Sequence, residues 1–140
     1  MISKLRGRLD SIGEDWVVVD VGGVGYLLYC SVRTLRALPA VGELVELFVD
    51  THVREDHIHL YGFGVSRERE WFTLLQTVQG VGARVAMGLL SVLSPDDLAQ
   101  TIAADDREPL TRANGIGRKV ADRILAELKE KVAKFSIDPS

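Results

Sequence analysis

The stretch Gly80-Val81-Gly82-Ala83-Arg84-Val85-Ala86 recurs 35 residues later as Gly115-Ile116-Gly117-Arg118-Lys119-Val120-Ala121. Flanking apolar positions keep the same register: Leu75 matches Leu110, Leu89 matches Ile124 and Leu90 matches Leu125. The repeat predicts two copies of one unit, each a helix, a tight Gly-apolar-Gly turn and a second helix. Two glycines let the chain reverse sharply while leaving its backbone N–H groups unobstructed. The apolar residue between them anchors the turn. The following helix begins at the same spot, so its free N–H groups and the positive end of its dipole converge there on a place suited to an anionic oxygen cluster. Arg84 and Lys119, each two positions past the second glycine, add full charges. Arg118 and Arg123 lie in the same basic stretch, which Arg112 opens. Gly80, Gly82, Gly115 and Gly117, with Arg84, Arg118, Lys119 and Arg123, are therefore candidate phosphate ligands. One Gly-x-Gly alone reads as an ordinary helix–helix turn. Two in register suit the two strands of a duplex, held through phosphates, hence without base specificity and with strong salt dependence.

Helical periodicity is confined to the second half. Before residue 64 the pattern is β. Ile2 to Leu9 alternates loosely. Asp15 to Val21 is rich in β-branched residues, and Gly22-Gly23 predicts a hairpin turn into Val24 to Cys30. Ser31 predicts the cap of a short helix to Leu38, with Val32, Leu35 and Leu38 on one side. A long alternating strand follows from Leu44. After a polar tip, Arg54-Glu55-Asp56-His57, a last strand ends at Tyr61-Gly62-Phe63. Five short strands and one helix in so short a span predict a small closed barrel of the OB type. From residue 64 a helix is expected from Ser66 to about Thr77, burying Trp71, Leu74, Leu75 and Val78. Ser94-Pro95-Asp96-Asp97 has capping-box spacing, as do Asp105 and Glu108, and a last helix should run from about Gly117 to Lys131. The fold class is thus an all-β barrel at 1–63 followed by an all-α domain of five short helices at 64–140.

Composition bounds the remaining classes. With 46% hydrophobic and 26% charged residues, the 140-residue chain reads as one or two soluble globular domains. No apolar run is long enough for a membrane span, and the N-terminus lacks a signal-peptide core, so a cytoplasmic protein is expected. The net charge of -3 resides in the first half, with six basic and nine acidic residues against eleven of each in the second. Cys30 is the only cysteine, which excludes an internal disulfide and a cysteine-rich zinc site, and it reads as a small core residue. No Walker-type loop is present, so no nucleotide cofactor is expected, and no catalytic triad is suggested.

At the repeat the chain resembles helix-hairpin-helix proteins, and over almost all of residues 1–135 it resembles the RuvA family. The carriers of that wider resemblance are Met1-Ile2 with Leu5-Arg6-Gly7, Val21-Gly22-Gly23-Val24-Gly25-Tyr26, Thr51-His52-Val53-Arg54-Glu55-Asp56, Leu60-Tyr61-Gly62-Phe63 and Glu68-Arg69-Glu70-Trp71-Phe72. The resemblance implies a non-catalytic subunit that binds four-way (Holliday) DNA junctions in recombination and repair. It implies a homotetramer built through the barrels, with one or two tetramers per junction and tandem helix-hairpin-helix motifs over each arm. It implies partnership with a RuvB-type hexameric ATPase, which consumes the ATP, and a RuvC-type resolvase. On residues alone Arg54-Glu55-Asp56 is a polar hairpin tip; the resemblance makes Glu55 and Asp56, beside Arg54, an acidic pin at the junction centre. Asn114 stands where the family often has proline, and Arg118 where lysine is common; neither change removes a charge or an amide donor. Family members usually continue into a third, helical domain that contacts the motor, whereas this chain stops at Ser140, as a truncated form or fragment would.

Other constellations compete. His52, His57 and His59, near Glu55 and Asp56, could hold a metal, but their spacing is not that of a closed zinc site, so none is expected. Trp16, Tyr26, Tyr29, Phe48, Tyr61 and Phe63 could stack single-stranded bases, though alternation assigns most of them to the barrel core. A helix-hairpin-helix glycosylase or nuclease would need a buried catalytic residue near a hairpin, where only Asp122 and Lys119 are candidates.

Overall fold

The computed structural model describes residues 1–137, with side chains to 133. The first compact unit, Met1–Arg69, is a closed five-stranded barrel. Its strands are β1 (Lys4–Ile12), β2 (Trp16–Val21), β3 (Val24–Cys30), β4 (Leu44–Val53) and β5 (Ile58–Phe63). They run in the order β1-β2-β3-β5-β4, with β4 closing back on β1. Every pairing is antiparallel except β3 with β5, which is parallel. This is the closed all-β architecture that the alternation predicts. One β-branched or leucine set fills the interior: Leu5, Leu9, Val17, Val19, Leu28, Val45, Leu47, Val49 and Leu60. Burying each such side chain contributes on the order of 1.5–3 kcal/mol.

Aromatics depart from expectation. Only Phe63 is fully buried; Trp16, Tyr26, Tyr29, Phe48 and Tyr61 are half-exposed. On β3, Leu28 and Cys30 point inward, so Tyr29 between them points out. Its neighbours across the sheet make an outer cluster, with Tyr29 5.9 Å from Tyr61 and 5.3 Å from His59 between ring centroids.

Helix α1 (Val32–Arg36) sits between β3 and β4 and is capped, as expected, by Ser31, whose Oγ accepts from Thr34 N. Its buried residue is Thr34, while Val32 is exposed, contrary to the apolar-side reading. The reason is Glu68, in the first turn of α2 (Ser66–Leu75), which is buried to 1% exposure. Its carboxylate accepts from Ser31 Oγ at 3.1 Å and from Thr34 Oγ1 at 2.7 Å. Arg69, one residue on, donates to Ser3 O at 2.8 Å and lies over the Phe48 ring. These ties place the unit boundary after Arg69, six residues beyond the change of periodicity.

The second unit, from Glu70, carries the rest of α2, then α3 (Ala83–Val92), α4 (Pro95–Ala103), a 3-10 turn (Glu108–Arg112) and α5 (Arg118–Ile137). Trp71, Phe72, Leu89, Leu90, Leu98, Ile102, Leu110 and Ile124 form its core. The Ser94–Asp97 capping box forms with both reciprocal bonds. Asp105 caps nothing. It takes a left-handed φ of 55°, and Asp106 instead accepts from Glu108 N. The following segment is a single 3-10 turn, so the second repeat copy opens on a turn and not a full helix. No helix among the described residues is long and apolar enough to cross a membrane.

Candidate nucleic-acid interface

The two Gly-apolar-Gly turns have the same construction, bond for bond. Val81 N donates to Val78 O at 3.1 Å, and Ile116 N to Ala113 O at 3.3 Å. The apolar residues Val81 and Ile116 are buried and fix each turn to the core. The first glycines, Gly80 and Gly115, have φ of 95° and 87°, which L side chains adopt only with strain. The second glycines open the helices: Ala86 N donates to Gly82 O at 2.9 Å, and Ala121 N to Gly117 O at 3.0 Å. A Cβ added at Gly82 or Gly117 would meet nothing within 4 Å. Nothing in the packing demands glycine there. What a side chain would fill is the open space before the helix amides, which Gly82, as N-cap without a side chain, leaves uncapped.

The copies pack reciprocally. A Cβ on Gly80 would lie 3.4 Å from Val120 Cγ2, and one on Gly115 would lie 3.1 Å from Val85 Cγ2. Val85 and Val120 occupy the same repeat position. Each hairpin therefore rests on the other copy's second helix, and both turns are seated on one core. Arg84, Arg118 and Lys119 are exposed, and among the described residues no carboxylate pairs with them. Two other basic residues are committed. Arg112 forms an i,i+4 pair with Glu108 at 2.9 Å, and Arg123 Nη1 donates to the Gln79 carbonyl at 3.1 Å. Asp122, weighed above as a catalytic candidate, is exposed and paired with Arg107 at 3.1 Å.

In the barrel, Arg54, Glu55 and Asp56 form the exposed tip of the β4–β5 hairpin, closed by Arg54 N donating to His57 O at 2.8 Å. Asp56 is 85% exposed on its side chain, and His57 Nδ1 lies 2.7 Å from its Oδ1. His57 and His59 stack at 4.0 Å between ring centroids, and His52 contacts Asp50. Among the described residues no three His, Cys, Asp or Glu side chains converge to hold a metal ion.

Comparison with known proteins agrees with this two-part layout. The RuvA N terminal domain model matches residues 1–62, and a SAM-like helix-hairpin-helix tandem model matches residues 72–130. The Holliday junction branch migration complex subunit RuvA of Methylobacterium radiotolerans is 58% identical over 141 aligned positions, covering all of this chain and 69% of that protein. The chain belongs to the RuvA family. The subunits of the same name from Azorhizobium caulinodans and Nitrobacter winogradskyi are each 57% identical; this chain covers 66% of the former and 69% of the latter.

Within this RuvA-family chain the structure brings Gly80, Gly82, Gly115 and Gly117 together with Arg84, Arg118 and Lys119 on paired hairpins. Arg54, Glu55 and Asp56 belong to the barrel unit. Sequence reasoning missed two features: the reciprocal glycine–valine seats and the commitment of Arg123 to a backbone carbonyl. The seats had a signal, since Val85 and Val120 repeat with the glycines. The Arg123 bond had none, because position 88 in the first copy is glycine.

Proposed function

We propose that this chain binds four-way DNA junctions through their phosphates and presents them to an ATP-driven branch-migration motor. The observation that carries the reading is the pair of reciprocally packed hairpins, each with open space before a helix N-terminus and unpaired cations beside it. Helix amides and cations of this kind favour phosphate oxygens over any neutral ligand. Each hairpin takes one strand of a duplex arm, with Arg84 beside the first and Arg118 and Lys119 beside the second.

Such contacts are uniform along any duplex, so they supply affinity and not junction preference. Preference is assigned to the tip of Glu55 and Asp56. In a homotetramer joined through the barrels, these carboxylates gather at the crossover and repel duplex that lies across it, leaving the exchange of strands as the favoured occupant. A RuvB-type hexameric ATPase supplies the work and a RuvC-type resolvase the cleavage. This chain holds no cofactor and breaks no bond in this scheme.

The test is a competition measurement with labelled four-way junction against linear duplex and single strand, with light scattering of the protein alone and bound. Junction should compete best, and the mass should be that of one or two tetramers. The half-exposed Tyr29 and Tyr61 cluster gives a single-strand-binding reading its one foothold. If single strand competes best, that reading replaces this one.

A further inference from the structure

Position 123 is where the two repeat copies differ in what they do for each other. Its counterpart in the first copy is Gly88, which has no side chain to offer the second hairpin. Arg123, on α5, reaches the first hairpin: its Nη1 donates to the Gln79 carbonyl at 3.1 Å and lies 3.7 Å from where a Gly80 Cβ would stand. Gln79 and Gly80 share one peptide unit, which is trans and close to planar. In such a unit the carbonyl and the next N–H point in opposite directions. Whatever holds the Gln79 oxygen therefore helps aim the Gly80 amide, in a turn whose next residue, Val81, is fixed by burial and by its bond to Val78 O.

We infer that Arg123 is a positioning residue: it holds the Gln79–Gly80 peptide so that the first hairpin's amides face the phosphate, and it does so from the second hairpin's helix. On top of the reciprocal glycine–valine packing, this side-chain brace runs in one direction only. Damage to α5 near residue 123 disables the first hairpin, whereas no side chain at 88 returns the favour. This rests on the phosphate-binding reading above but differs from the expectation that Arg123 is itself a phosphate ligand.

A double-mutant cycle separates the two roles, because groups that act as a unit are not additive and independent groups are. Junction affinity is measured by fluorescence anisotropy at about 50 mM salt, where weak variants still bind, for Arg123→Ala alone and combined with Gly82→Val or Gly117→Val. A Cβ at either glycine enters open space, so both variants should keep the fold; thermal melts of each protein check this. Arg123→Ala alone should lower affinity roughly tenfold, the size expected of coupled contacts. On the Gly82→Val background, where the first cradle is already blocked, it should cost less than about twofold; on Gly117→Val it should keep its full cost. An equal loss on both backgrounds would mean that Arg123 acts on DNA independently, and the brace is then wrong. If Gly82→Val by itself leaves binding intact, the cradle reading fails first and the brace falls with it.

Discussion

At the scale of single residues, the four hairpin glycines divide by physical requirement, and mutation should expose the division. Gly80 needs its left-handed φ, and a side chain there would press on Val120. Gly80→Val should therefore destabilise the fold by about 2 kcal/mol or more, read as a lowered midpoint in chemical denaturation. Gly82 needs neither conformation nor space. Gly82→Val with Gly117→Val should leave the melting temperature within a few degrees yet abolish junction binding in a gel shift. Retained binding by that double variant would remove amides from the mechanism. Cys30 makes a second residue-scale case. Burial pushes its thiol up to about 12 from an ordinary value near 9, with Glu68 adding a smaller push in the same direction. The folded state thus keeps a proton that the unfolded state gives up, so stability is full below pH 9 and declines as pH rises toward 12. Between pH 9 and 10.5 wild type should lose stability with pH more steeply than Cys30→Ala, by up to about 1.4 kcal/mol per pH unit. Parallel curves would show that the thiol ionises as freely folded as unfolded.

At the scale of elements, regular periodicity was the legible part. The five strands, the Ser31 cap, the Ser94–Asp97 box and both hairpins follow from patterns within a few residues of each other. What escaped the sequence depends on partners far along the chain or on which face of a strand turns inward. Leu27, Leu28, Tyr29 and Cys30 are all apolar or amphipathic, so alternation alone does not say that Tyr29 lies outside. Asp105 and Glu108 have capping spacing, but Asp105 takes a left-handed φ and caps nothing, and the segment that follows is only a 3-10 turn. Glu68 reads as a surface acid at the start of α2, since the hydroxyls it serves are 37 and 34 residues away. Its burial explains how α1, only five residues long and too short to persist alone, holds its place. Glu68→Ala leaves Ser31 and Thr34 without their acceptor inside the unit. It should destabilise the barrel by about 2–3 kcal/mol, measured by urea denaturation followed through tryptophan fluorescence. A change below about 0.5 kcal/mol would mean that the α1–α2 clamp is incidental to the fold.

At the scale of the whole molecule, the question is how a chain of net charge -3 binds a polyanion and prefers one shape of it. The second unit answers the first half. From residue 64 on, basic residues match acidic ones in number, but several of the acids are held in caps and pairs, such as Asp97 with Ser94 and Asp122 with Arg107, while Arg84, Arg118 and Lys119 stay open. The surplus of acid lies in the barrel, and Glu55 and Asp56 place part of it at an exposed tip. Were that tip a mere solvated turn, neutralising it would change junction and duplex affinity alike. If it repels duplex at the crossover, Glu55→Gln with Asp56→Asn should raise affinity for linear duplex while leaving junction affinity unchanged or higher, so that the ratio of the two falls. The fall should shrink with added salt, because exposed charges act over about 8 Å at physiological ionic strength and less above it. Anisotropy titrations with both DNAs at two salt concentrations measure this directly. A large loss of junction affinity in the neutral variant would mean that the carboxylates attract something in the complex, and preference for the junction would have to arise from the shape of the assembly alone.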